Sequence, residues 1–264
     1  MTVRGMLIDL DGVLYEGDRP VDGAAEAVAE LTQSSVPHLF LTNTTSRPRS
    51  ALVEKLASMG VETSVASILT PPIAADRWLA RYAPGPAALF VPEATAAELA
   101  SVEQLDAGAE SGAASVVLGD LGEGWTFAKL NRAFRLLMDA PRPVLVALGM
   151  TRYWRAPGGL QLDVAPFVAA LECATGCEAV VLGKPAPAFY ETAAETLGIS
   201  LEELVMIGDD VVGDVGGAQR VGAGGILVRT GKFRPGDLEG EIRPDVVLDS
   251  VADLPDWWRR RGGA

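Results

Sequence analysis

Leu204-Val205-Met206-Ile207-Gly208-Asp209-Asp210-Val211-Val212-Gly213-Asp214 begins as an apolar run of strand length and ends with three carboxylates in six residues. A short apolar run bounded by Gly and Asp reads as a buried strand. A helical pattern follows over about 214–221, which makes the stretch one strand–helix unit. The acidic residues have two readings. Asp214 could be the N-cap of the helix, with the other acids favoured near its start. Three carboxylates crowded beyond an apolar strand would repel one another, however, and a hard cation with oxygen ligands is the better explanation.

The same alternation extends outward in both directions. An apolar run at 3–9 precedes a helical pattern at 22–34, in which Ala24, Val28 and Leu31 share a face. A strand at 39–42 precedes a helix at about 48–59 closed by Gly60. Further along, a strand at 180–182 leads to a helix at 187–197 ended by Gly198, and strands at 225–228 and 246–248 lead to a short C-terminal helix. Strand–helix alternation of this kind predicts an α/β fold with a doubly wound, Rossmann-like parallel sheet. Between the halves lie strands at 88–91, 115–118 and 144–148 with Pro/Gly/Ala-rich joins. About a hundred residues is too long for a loop and matches a small domain. The expectation is a discontinuous core at 1–71 and 179–264 with an α/β cap domain inserted at 72–178.

In open sheets of this kind ligands bind at the carboxyl ends of the strands. The residues expected there are Asp9, Asp11, Thr42, Asn43, Lys184, Asp209 and Asp210. Asp9-Leu10-Asp11-Gly12 is either a solvated turn or a functional pair. On an extended chain, i and i+2 carboxylates project to the same side, a costly crowding unless a cation lies between them. One could then attack phosphorus while the other exchanges protons. Leu41-Thr42-Asn43-Thr44-Thr45-Ser46 is either a polar loop with Ser46 as a helix cap, or a hydroxyl and amides that donate to phosphate oxygens. Lys184, between Gly183 and Pro185, is either a surface charge or the point charge that a transferring phosphoryl group needs.

Bulk properties narrow the classes. Lys plus Arg number 22 against 35 Asp plus Glu, a net charge of −13, which disfavours nucleic acid and anionic membrane as partners. The N-terminal stretch has no cationic leader and no apolar run has membrane-spanning length, so a cytoplasmic location is expected. Cys173 and Cys177 are the only cysteines and His38 the only histidine. They cannot complete a zinc shell, and no G-x-S-x-G accompanies the histidine. The cysteines read as small apolar residues on one helix face, and His38 as part of a core strand.

Taken together, the order of the four elements, their strand-end placement and the large insert between the second and third resemble the haloacid dehalogenase superfamily, subclass IIA phosphatases. The likeness covers essentially the whole chain. It is strongest in GKPAPAFY and in GDDVVGDVGGAQRVG followed by LVRTGKFRP, which look like the phospholysine/phosphohistidine/inorganic pyrophosphate phosphatase group. The resemblance implies a Mg²⁺-dependent phosphatase acting on a small phosphorylated substrate. It makes Asp9 the nucleophile and a metal ligand, and Asp11 the general acid/base that also binds metal through its carbonyl. Thr42, Asn43 and Lys184 would hold phosphate, Asp209 would bind the metal directly, and Asp210 and Asp214 would support that shell. It further implies a flap from Asp11 to about Pro20, and a homodimer through the caps. Some members of that group carry Ser where this chain keeps Asp11. Full acid/base capacity is therefore implied here, and the departure puts the transfer of their substrate range in question. A phosphotransferase or phosphomutase, and a non-catalytic phospho-ligand-binding regulator, remain the alternatives on the same fold. Dehalogenation fits less well with Asp11, Lys184 and the acidic fourth element.

Overall fold

In a computed structural model, which describes residues 2–45, 47–156 and 158–261, strand β1 (Gly5–Asp9) is buried at every position. An uninterrupted apolar strand demands neighbours and cover on both faces. A hairpin, β2 (Tyr15–Glu16) and β3 (Arg19–Pro20), follows it, then α1 (Ala24–Gln33), β4 (His38–Leu41), α2 (Arg49–Ser58) and β5 (Ile68–Leu69). The chain next forms α3 (Pro71–Tyr82), β6 (Ala87–Phe90), α4 (Glu93–Ala96), β7 (Ser115–Leu118), α5 (Phe127–Leu137) and β8 (Val144–Ala147). These are followed by β9 (Tyr153–Ala156), β10 (Gly159–Leu162), α6 (Ala165–Thr175) and β11 (Val180–Val181). The last stretch carries α7 (Pro187–Leu197), β12 (Leu204–Gly208), a π-helical turn (Val211–Gly216), α8 (Gly217–Arg220), β13 (Gly224–Val228), β14 (Val246–Leu248) and α9 (Leu254–Arg260).

Two compact units result. One takes Met1–Thr42, Arg49–Leu69 and Lys184–Ala264; the other takes Asn43–Pro48 and Thr70–Gly183. The first holds a six-stranded sheet in the order β14-β13-β12-β1-β4-β5, parallel throughout. From β1 the chain builds one side through β4 and β5, then returns to build the other through β12, β13 and β14. The strand order therefore reverses between β1 and β12, the place where open α/β sheets leave a crevice at their carboxyl edge. Helix α1 turns Ala24, Ala27, Val28 and Leu31 inward, and Trp257 and Trp258 of α9 pack on the same core. His38 opens β4, with Nδ1 2.8 Å from the Val36 carbonyl oxygen.

The second unit holds a four-stranded parallel sheet in the order β11-β8-β7-β6, with β9 and β10 as a separate antiparallel pair. Its core stacks Trp125 between Phe90 and Phe167, with ring centroids 5.9 and 4.6 Å away. The apolar run at 180–182, read from the sequence as a strand of the core sheet, instead pairs with β8 at the edge of this sheet. Short apolar runs state that a strand forms but not which sheet accepts it. The two cysteines also depart from the one-face reading. Helix α6 ends at Thr175 with Gly176 in the left-handed region, so Cys177 lies beyond it, its Sγ 2.8 Å from the Thr175 hydroxyl. Arg152, Tyr153 and Trp154 are exposed. Ser46 and the side chain of Arg155 lie outside the described residues. Among the described residues no helix is long and apolar enough to cross a membrane.

Candidate active site

Strands β1 and β12 run side by side with Ile8 opposite Ile207. Asp9 at the end of one strand and Asp209 just past the end of the other therefore reach the carboxyl edge of the sheet together. Gly208 has a specific task here. A Cβ at that position would fall 2.2 Å from Asp214 Oδ2, so only glycine lets the Asp214 carboxylate fold back over the strand end. Carboxylate oxygens of Asp9, Asp209 and Asp214 all lie within 4.8 Å of one another, and all three residues are buried.

A single lysine bridges two of these acids. Lys184 Nζ is 2.6 Å from Asp9 Oδ1 and 2.7 Å from Asp214 Oδ1, with its side chain 5% exposed. Asp214 uses its other oxygen to accept the Asp210 N–H at 3.2 Å. Asp209 accepts the Lys232 N–H through Oδ2 at 2.7 Å. Its second oxygen, Oδ1, is buried and has no hydrogen-bond partner among the described residues. A buried, unpartnered carboxylate oxygen is costly unless something takes it up. Three carboxylates facing one ammonium supply the hard oxygen donors that a small divalent cation needs, so the residues present fit a metal ion.

The segment after β12 differs from the expected helix start. Asp210, not Asp214, is the cap: its Oδ1 accepts the N–H groups of Val212 at 3.0 Å and Gly213 at 2.8 Å. The chain then makes a π-helical turn, the widened turn often found at functional sites, which brings Asp214 back to Lys184. Tyr190 on α7 holds this turn, donating its hydroxyl to the carbonyl oxygens of Gly213 at 2.8 Å and Asp214 at 3.1 Å. Neither the tyrosine nor the π-turn leaves a periodic signal in the sequence, so both escape a reading based on helix spacing.

Asp11 is also placed differently from an extended-chain pair. Strand β1 ends at Asp9, and the chain turns through Gly12, which has a φ of +84°. Asp9 is buried while Asp11 is exposed. The two carboxylates therefore do not crowd one face, because the strand geometry that would force it stops one residue too soon. Thr42 is buried at the end of β4, and its N–H donates to the Leu69 carbonyl at 3.2 Å. Asn43 is exposed and belongs to the second unit. Within that unit, a Cβ on Gly183 would come 3.1 Å from the Leu148 carbonyl oxygen and 3.3 Å from Asn43 Oδ1, a tight fit for any side chain before Lys184.

Electrostatics follow from burial and charge count. Burial raises the carboxyl of Asp9, against the pull of Lys184. Asp209 is raised by burial too, partly offset by the Lys232 N–H. Asp214 is pushed up to about 6 by burial, with Lys184 opposing and Asp9 adding repulsion. For Lys184 burial works against the charged form, but Asp214 and Asp9 outweigh it and hold the ammonium well above the usual lysine range. Burial opposes ionisation of Asp210 as well, yet the Gly213 N–H, Lys232 and the Val212 N–H hold it below the ordinary carboxylate range. The site is thus short of positive charge, and Lys184 stays ionised throughout the neutral range.

Comparison with known proteins places these features in a family context. A model described as "Haloacid dehalogenase-like hydrolase" matches residues 6–104, and a second HAD-hydrolase-like model matches residues 181–254. Phospholysine phosphohistidine inorganic pyrophosphate phosphatase of Bos taurus is 41% identical over 259 residues, covering 96% of this chain and 93% of that protein. Haloacid dehalogenase-like hydrolase domain-containing protein 2 of Homo sapiens is 41% identical over 247 residues, covering 93% and 91%. Among solved structures, the p-nitrophenyl phosphatase from Archaeoglobus fulgidus superposes with a TM-score of 0.85 at 27% identity, covering 97% of this chain and 100% of that one.

Proposed function

Because the chain belongs to the haloacid dehalogenase-like hydrolases, we propose that it is a Mg²⁺-dependent phosphatase that hydrolyses small phosphorylated compounds through an aspartyl-phosphate on Asp9. The observation that carries this reading is the buried group of Asp9, Asp209 and Asp214 around one lysine, with Asp209 Oδ1 left unpartnered at the sheet's switch point. A structural ion-pair cluster would satisfy its oxygens; this one holds an oxygen in reserve.

Asp9, Asp209 and the carbonyl of Asp11 would hold Mg²⁺, which would supply the positive charge that a dianionic phosphoryl group needs in an anionic site. Asp214, through Lys184, and Asp210, through the turn it caps, keep those ligands in place. In the first step a carboxylate oxygen of Asp9 attacks phosphorus in line, the bond to the leaving oxygen breaks, and Asp11 gives that oxygen its proton. In the second, Asp11 removes a proton from a water whose oxygen attacks phosphorus, releasing inorganic phosphate and restoring Asp9. Thr42, with Asn43 next along the chain, and Lys184 hold the phosphoryl oxygens through both steps.

Substrate choice is assigned to the inserted cap at 72–178. Exposed apolar side chains on β9 and β10, namely Tyr153 (54%), Leu160 (67%) and Leu162 (56%), favour a homodimer through the caps. The names of the relatives direct the substrate screen to phosphoamino acids and pyrophosphate alongside phosphorylated metabolites. The test of the chemistry is hydrolysis of p-nitrophenyl phosphate with Mg²⁺ and with EDTA, by the unsubstituted chain and by Asp9→Asn. Turnover that needs Mg²⁺ and disappears in Asp9→Asn is expected. Turnover by Asp9→Asn above trace level would eliminate the nucleophile assignment.

A further inference from the structure

The loop at 230–232, just past β13, bonds to three neighbours of the proposed metal site. Thr230 donates its hydroxyl to the Gly12 carbonyl at 2.5 Å. The Gly231 N–H donates to Glu16 Oε1 at 2.6 Å, and the Lys232 N–H to Asp209 Oδ2 at 2.7 Å. Glu16 lies on β2, in the hairpin that follows Asp11. Three successive residues thus tie the turn after Asp9, the hairpin and the Asp209 carboxylate to one another.

Steric room at this junction is almost nil. Gly231 has a φ of +62°, and a Cβ there would sit 2.1 Å from Asp209 Oδ2 and 2.6 Å from the Gly12 Cα. A Cβ on Gly12 would sit 1.9 Å from the same Oδ2. One oxygen of Asp209 is therefore wedged between two glycines and fixed by one N–H. With Oδ2 held, the rotation of the carboxylate is set, and so is the direction of the unpartnered Oδ1.

We propose that Glu16 is a positioning residue for the divalent cation: by holding the Gly231 N–H it fixes the 230–232 loop, and the loop aims Asp209. This deepens the phosphatase reading and rests on it. A carboxylate accepting a backbone N–H makes a charge-assisted bond, among the stronger links an exposed side chain can supply. Without it the Gly231 N–H turns to water and the loop no longer holds one position for Asp209. Metal ligands that lose an outer partner typically lose roughly 10- to 100-fold in affinity. Glu16 acts one link further out, so about a 3- to 10-fold loss is expected.

The experiment is calorimetric titration of Mg²⁺ into the EDTA-treated, then dialysed, full chain, alongside Glu16→Ala and Glu16→Gln. Both substitutions remove one negative charge, but Gln keeps an oxygen that can accept the Gly231 N–H. The expected result is a Kd raised about 3- to 10-fold in Glu16→Ala and within about twofold of the unsubstituted chain in Glu16→Gln. The kcat of Glu16→Ala on p-nitrophenyl phosphate should return at saturating Mg²⁺, since only cation affinity has changed. An unaltered Kd in Glu16→Ala would overturn the proposal, as would an equal loss in Glu16→Gln, which would assign the effect to charge alone. If the unsubstituted chain binds no Mg²⁺, this inference and the phosphatase reading fall together. If it binds Mg²⁺ and turns over substrate but the Glu16 variants match it, only this inference falls.

Discussion

Replacing Lys184 with Met is the sharpest perturbation of the charge balance that the site is built on. The ammonium lies 2.6 Å from Asp9 and 2.7 Å from Asp214, and the side chain is 5% exposed. Methionine nearly conserves its length and volume, so packing changes little. What remains is a buried group of carboxylates within 4.8 Å of one another and no cation among them. Two unit charges at that upper separation, 4.8 Å, repel by about 3.5 kcal/mol at an effective dielectric of about 20. Removal of one partner from a buried ion pair costs about 3–5 kcal/mol, which agrees with this figure. For a chain of this size about 2–4 °C accompanies each kcal/mol, so the melting temperature without divalent cation should fall by about 6–20 °C.

The pH dependence has a definite sign. Asp214 stands at about 6 against an ordinary 3.8, with Lys184 pulling it down; without the lysine it rises further. A carboxyl with a native pKa above its unfolded value takes up a proton on folding. The fold therefore loses stability as pH rises through that window and recovers it as pH falls back through the native pKa. The deficit of Lys184→Met should be largest at pH 8 and shrink toward pH 5. Added Mg²⁺ should shrink it as well, because carboxylates that have lost the Lys184 ammonium gain more from a divalent cation than the unsubstituted site does. The assay is thermal unfolding, followed by near-ultraviolet circular dichroism, with EDTA and with Mg²⁺ at pH 8, 6.5 and 5. A variant that melts within about 2 °C of the unsubstituted chain at pH 8 in EDTA, or a deficit that grows on acidification, would refute the reasoning.

Two substitutions separate metal binding from proton transfer. Asp209→Asn keeps an oxygen for the Lys232 N–H but removes a carboxylate whose pKa is raised by burial. Its metal-free form should melt above the unsubstituted chain at pH 7, the gap should narrow on acidification as the native Asp209 protonates, and Mg²⁺ should no longer raise its melting temperature. Asp11→Asn leaves attack on p-nitrophenyl phosphate largely intact, because nitrophenolate needs no proton to leave. Hydrolysis of the aspartyl-phosphate should then slow by about 10²–10⁴-fold, and rapid mixing should show a burst of about one nitrophenolate per chain; linear product formation from the first turnover would count against Asp11 as the base.

The parts of this molecule that a sequence can declare are those set by local chemistry. Apolar runs ending in Asp9 and Asp209 announce strands that stop at a polar edge, alternation with helices makes those strands parallel, and the structure pairs them as β1 and β12. From there, adjacency of the two aspartates is almost forced. Parts decided by long-range geometry stay silent. Residues 180–182 read as a strand, yet which sheet accepts it depends on the neighbours it meets, and β8 takes it. Asp214 looks like a cap by spacing, but a π-turn and the bare Cα of Gly208 swing it onto Lys184. The loop at 230–232 holds Asp209 and Glu16 through main-chain N–H groups, which every residue but proline supplies, so the side chains in LVRTGKFRP do not declare those bonds. The same distinction explains why the site is both strained and specific. Burial alone would neutralise these acids, and Lys184 alone cannot balance three of them. The fold can bring the carboxylates this close because Gly208, Gly12 and Gly231, having no Cβ, leave the space that the Asp214 and Asp209 carboxylates occupy. A chain that merely needed stability would relieve the crowding with one Asn; keeping it is what a site awaiting a cation and a phosphoryl group requires.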